Sequence, residues 1–151
     1  MSILKILYLG SKNYRANKYV KSIKSKDNEH GSIYIKNTKP IKQLLRNLDS
    51  NVVGKWTRVY IEIENYTVLS FSKGKDLVFI TSFLDRKAVP FLRLNMHETR
   101  TSISSEIKAT KDMHYFVLYP EQTFSIGKLI IGCLTKRLNS KWYNTIKNIN
   151  L

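Results

Sequence analysis

The chain has 151 residues and carries 26 Lys and Arg against 11 Asp and Glu, a formal net charge of +15 at pH 7. That length supports one sizeable core rather than two, and 42% hydrophobic with 11% aromatic residues excludes wholesale disorder. A single cysteine, Cys133, excludes an intramolecular disulfide and a four-cysteine zinc site, and suggests a reducing compartment.

The charge is unevenly placed. Residues 1–26 hold seven Lys and Arg and no acid, residues 122–151 hold five and no acid, and the acids between them face fourteen cations, leaving only +3. The N-terminal "ILKILYLG" is apolar, but Lys5 splits it and nothing basic precedes it, so it fits a signal peptide poorly. No run approaches the ~20 apolar residues of a membrane span. Ser2 in place of Gly removes N-myristoylation, and the C-terminus lacks a prenylation box. Membrane contact is therefore expected to be peripheral.

In "KNYRANKYVKSIKSK" (12–26), Lys12, Arg15, Lys18, Lys21 and Lys24 recur every third residue. On a helix that period drifts by about 60° per step, so the charges wrap the cylinder instead of lining one stripe. A flexible or partly ordered basic arm is expected. The polar "KDNEHGS" (26–32) is a turn-rich linker, dividing the chain into an arm and linker, 1–31, and a globular domain, 32–151.

In the domain, "SIYIK" alternates like a short strand. "TKPIKQLLRNLDSNVVGKW" then sets Ile41, Leu44, Leu45, Leu48 and Val52 at helical spacing, with Thr38 as cap, Pro40 in the first turn and Gly54 as stop. "WTRVYIEIENYTVLSFSKGKDLVFITSF" is rich in Val, Ile, Tyr and Phe and predicts two or three antiparallel strands, with turn signals at Glu64-Asn65 and "SKGKD". "VPFLRLN" and "MHYFVLYP" predict two more, separated by polar "HETRTSISSEIKATKD". The last segment repeats Ile126, Ile130, Leu134, Leu138, Trp142 and Ile146 every four residues. That spacing suits a helical stripe or one face of a hairpin turning at "LNSK", and Gly127 and Gly132 weaken the helix. The fold class is α+β: a single domain with an antiparallel sheet packed with one or two helices, preceded by the basic arm.

Chemistry-bearing patterns are sparse. His30, His97 and His114 have neither HExxH nor HxH spacing, so no metal site is expected. Glu62 and Glu64 share one strand face, where a solvated pair balanced by abundant Lys and Arg is expected rather than an acid–base couple. Cys133, in "LIIGCLTK", is expected to be a small buried hydrophobe. No phosphate-binding glycine loop or serine-nucleophile motif occurs, so neither an enzyme nor a bound cofactor is expected. The arm is more informative. Near an anionic membrane each cation contributes roughly 1 kcal/mol, and the apolar "ILKILYL" could enter the interface. On RNA the same charges would release counterions, and the tyrosines would stack on bases.

Three segments together resemble the matrix proteins of rhabdoviruses. "MSILKILYLGSKNYRANK" resembles the short apolar, then lysine-rich, N-terminus of the vesiculovirus type. "GSIYIKNTKPIKQLLRNLD" is similar to the strand, polar turn and long amphipathic helix that open their globular domain. "IIGCLTKRLNSKWYNTIKNI", with Gly132, Lys136, Arg137, Ser140, Trp142 and Ile146, resembles their C-terminal run of apolar residues, Gly, basic pair, Ser, Trp and closing Ile, allowing a one-residue gap. "VYIEIENYTVLSFS" and "FLRLN" are more weakly similar to bornavirus matrix protein. The chain departs from the animal-virus members in lacking a PPxY or PTAP late-budding motif: Pro40, Pro90 and Pro120 stand in neither context.

The resemblance implies a non-enzymatic structural protein of the virion, lying beneath the envelope and on host membranes. It would self-associate, condense the viral nucleocapsid or its RNA, and join it to the membrane. On that reading Lys5, Lys12, Arg15, Lys18, Lys21, Lys24 and Lys26 engage anionic membrane with Tyr8 and Tyr14 as interfacial contacts, and Lys128, Lys136, Arg137 and Lys141 contact the nucleocapsid. The alternative is a small basic RNA- or DNA-binding protein without a membrane role.

Overall fold

The computed structural model describes residues 29–68, 72–81, 90–96, 100–121 and 126–149, with the side chains of 66–68 and 72–74 excepted. The basic arm and its candidate membrane contacts, Lys5 through Lys26, lie outside the described residues.

Among the described residues nine strands form one antiparallel sheet: β1 (His30–Lys36), β2 (Asn51–Val53), β3 (Trp56–Val68), β4 (Ser72–Ile80), β5 (Pro90–Asn95), β6 (Ser102–Ile103), β7 (Lys108–Ala109), β8 (His114–Tyr119) and β9 (Leu129–Cys133). Two helices accompany them, α1 (Lys39–Leu44) and α2 (Lys136–Lys147). The strand order is β5-β4-β3-β1-β9-β8-β6, with β2 pairing β3 and β7 pairing β8 off that path. The α+β class is as the sequence implies, and β1 opens at His30, ahead of the Ser32 boundary read from the linker.

Alternation sets the faces. Ile33 and Ile35 of β1, Val59, Ile61 and Ile63 of β3, Leu77 and Phe79 of β4, Phe116 and Leu118 of β8, and Leu129 and Ile131 of β9 join one buried cluster. Ile41 and Leu45 after β1, Leu92 and Leu94 of β5, and Trp142, Tyr143 and Ile146 of α2 belong to it as well. The Trp142 ring packs closely on β1, and glycine is required beside it: a Cβ at Gly31 would stand 2.7 Å from the Trp142 Cζ2. Three further contacts fix the helix. The Thr135 hydroxyl caps it by accepting from the Leu138 amide at 3.2 Å, the Asn139 amide group donates to the Ile131 carbonyl at 3.4 Å, and Tyr143 donates to the Ser104 carbonyl at 2.7 Å. The Tyr143 ring meets Phe116 edge-on, with centroids 5.5 Å apart.

Two expectations are corrected and one alternative left open is resolved. The helix after Thr38 is a single short element and does not reach Gly54. Asn47 takes a left-handed conformation at φ 66°, which ends helical growth, and Val52 lies in β2 opposite Thr57. Gly54, at φ 62°, serves the two-residue hairpin turn between β2 and β3 instead of stopping a helix. The expected turns at Glu64-Asn65 and "SKGKD" are strand: Glu64 pairs with Asp76, Asn65 with Lys75 and Tyr66 with Gly74 in unbroken register. The C-terminal ambiguity resolves into strand then helix. Gly132 sits in β9, where an added Cβ would fall 2.6 Å from Met113 and 2.9 Å from Trp56, and "LNSK" lies inside α2. The four-residue stripe is thus divided, with Trp142 and Ile146 buried but Leu134 and Leu138 exposed. The polar stretch before β8 supplies β6 and β7, two residues each, which pair with β8.

Gly31→Ala is expected to destabilise the fold by about 1–3 kcal/mol, because the buried indole cannot retreat without losing its packing. Urea unfolding of the two proteins gives the difference, and equal midpoints would show that Trp142 does not need the close approach.

Candidate functional site

The sheet face opposite α2 holds an ionic cluster. Over Ile61–Glu64 both faces of β3 are buried, so Glu62 is only 1% and Glu64 only 6% exposed. The expected solvated pair is therefore corrected. The expected pairing with a cation holds for Glu64: Arg93 of β5 donates from Nη1 to Glu64 Oε1 at 3.0 Å and to Asp76 Oδ2 at 2.5 Å. Asn95 donates to the other Asp76 oxygen at 3.1 Å. Register explains the convergence, since Glu64 faces Asp76 across β3–β4 and Asp76 faces Asn95 across β4–β5. One guanidinium shared by two carboxylates across three strands is a structural clamp, with its charge-assisted bonds directed inward.

No group of three or more His, Cys, Asp and Glu among the described residues could hold a metal ion. His30 opens β1 opposite Glu62, and His114 opens β8 opposite Cys133. Cys133 is buried, as its sequence context implies. Burial pushes its thiol pKa above the ordinary value, with the Asn139 side-chain hydrogen bond opposing in part. Among the described residues, no helix is long and apolar enough to cross a membrane. A shallow groove between the C-terminal end of α2 and β3–β4, lined by Glu29, Asn65, Lys75 and Asn148 among others, gathers no set of catalytic groups.

The exterior tells a different story from the total charge. Among the described residues fourteen Lys and Arg are exposed, against the five acids Glu29, Asp49, Glu106, Asp112 and Glu121. Sequestering Glu62, Glu64 and Asp76 inside while only Arg93 of the cations joins them leaves the surface more basic than the sequence suggests.

The candidate cations fall in two places. Lys136 and Arg137 open α2 and Lys141 follows one turn later, all exposed. Lys128 precedes β9 at its other end, about 16 Å of strand away. Lys141 lies over the Trp142 ring at 5.5 Å. Beside the first group, Leu134 and Leu138 are 60% and 46% exposed. In the sequence both belong to the four-residue apolar stripe. Only the direction of α2 after Thr135 reveals that they face outward, and no local pattern carries that signal. Comparison of the chain with protein families, curated proteins and solved structures returns no match.

Two outcomes follow from this geometry. Arg93→Met is expected to destabilise the protein by about 3–5 kcal/mol, since it leaves the two carboxylates without their shared guanidinium; adding Glu64→Gln and Asp76→Asn recovers part of the loss in denaturant unfolding. The Cys133 thiol is expected to react with iodoacetamide far more slowly in the folded chain than in the unfolded chain. Because the folded thiol holds its proton to higher pH, folding stability declines as pH rises past the ionisation of the unfolded thiol, which alkaline unfolding curves measure.

Proposed function

We propose that the chain is a viral matrix protein: a non-enzymatic structural protein that self-associates, condenses the viral ribonucleoprotein and links it to an anionic envelope membrane. The observation that carries this reading is the charge distribution. A basic arm with no acid up to Lys26 precedes a domain whose exposed cations greatly outnumber its exposed acids. A layer between anionic lipid and an RNA-containing core needs positive charge on more than one side, and cations stand at both ends of β9. The ordered motifs resembling rhabdovirus matrix proteins support the same reading.

The arm is the membrane tether, through Lys5, Lys12, Arg15, Lys18, Lys21, Lys24 and Lys26, with Tyr8 and Tyr14 at the interface. Replacing Lys12, Arg15, Lys18, Lys21 and Lys24 by Gln removes up to about 5 kcal/mol of attraction to an anionic surface. Pelleting with phosphatidylserine-containing vesicles is expected to fall steeply, while circular dichroism stays unchanged. Unchanged pelleting would remove the arm from the mechanism. Tight, salt-sensitive binding to free RNA with no preference for anionic vesicles would instead identify a nucleic-acid-binding protein without a membrane role.

A further inference from the structure

We propose that the folded domain has its own seat for an anionic bilayer at the start of α2, where Leu134 and Leu138 enter the interface while Lys111, Lys136, Arg137 and Lys141 hold the headgroups. The inference rests on the matrix reading, specifies where the domain, as distinct from the arm, meets lipid, and assigns Lys136, Arg137 and Lys141 to the bilayer in place of the nucleocapsid contact that the resemblance implies.

The two leucines are among the most exposed large apolar side chains described: Leu138 is on the first turn of α2, whose inner face is already filled by Trp142, Tyr143 and Ile146, and Leu134 lies just before the capping Thr135. They therefore add nothing to the core, and each carries apolar area whose removal from water is favourable. Leu138 and Lys141 lie about 60° apart around the helix, so an apolar contact and a cation address one plane together. Lys136 and Arg137 occupy the first turn, which holds no acid. Cations there oppose the helix dipole, so helix stability does not account for them. Pairing of His114 with Cys133 brings the turn between β7 and β8, with exposed Lys111, to the strand end that leads into Leu134. Asp112 beside it is exposed as well, leaving the group strongly positive.

A nucleic-acid groove combines cations with aromatic platforms for base stacking. Leucines offer no such platform, whereas apolar side chains ringed by lysine and arginine are what an anionic lipid interface takes. Charge complementarity and the apolar pair together favour the bilayer over RNA.

The test uses the full chain with Leu138→Cys carrying an environment-sensitive fluorophore, the native Cys133 being buried. With vesicles of phosphatidylcholine and phosphatidylserine the label is expected to shift to the blue and to be quenched by nitroxide-bearing acyl chains. The same label at Lys55, in the β2–β3 turn at the far end of the sheet, stays unquenched. In parallel, Leu134→Ser with Leu138→Ser is expected to weaken vesicle binding about tenfold at constant salt. A bound chain with an unquenched label at position 138 would overturn the seat and leave the arm reading standing. Failure of the wild-type chain to bind the vesicles would overturn both. Unchanged vesicle binding by the leucine variant, together with loss of RNA binding when Lys136, Arg137 and Lys141 become Gln, would make the surface a nucleic-acid site instead.

Discussion

The seating of Trp142 against the bare backbone of Gly31 is the contact on which the arrangement depends. A sheet with one face built from Ile, Leu and Phe needs an apolar cover, and α2 supplies it with a ring packed closely on β1 at Gly31. Once the ring is fixed, the 3.6-residue period leaves little freedom to the rest of the helix. Tyr143 must meet Phe116, Asn139 must reach the Ile131 carbonyl, and the capping Thr135 must turn directly out of β9. The outward attitude of Leu138 follows from that same constraint, because the rotation that buries Asn139, Trp142 and Ile146 turns position 138 away from the sheet.

The opposite face follows another logic. Burying carboxylates costs free energy unless they are hydrogen-bonded and paired, and Arg93 meets that requirement for Glu64 and Asp76 across three strands. Internal pairing consumes acids preferentially, so what remains outside is predominantly cationic. Fold and surface charge are thus coupled: the clamp that joins β3, β4 and β5 is also one reason the exterior attracts anions.

Much of this was legible in the residues, and the failures have physical causes. The strand-rich character, the strands at "SIYIK", "VPFLRLN" and "MHYFVLYP", and the burial of Cys133 follow from β-branched and aromatic composition with period-two patterning. Helical spacing continues through Leu48 and Val52 and so predicts a helix over 38–54, whereas Asn47 and the pairing of Asn51–Val53 with β3 end it early. Turn residues at Asn65 and Gly74 were outvoted by the continuous β3–β4 ladder, which no local propensity encodes. The candidate cations of the C-terminal segment were legible by type but not by place. Their division between two ends of β9, and the leucines beside one group, depend on tertiary packing.

That division has a consequence for how the molecule responds to salt. At physiological ionic strength charges separated by more than about 8 Å of solvent are largely screened from each other, and β9 alone holds Lys128 about 16 Å from the start of α2. The two poles are therefore electrostatically independent. Salt weakens the field at each end separately, and a change of charge at Lys128 leaves the potential around the start of α2 almost unaltered.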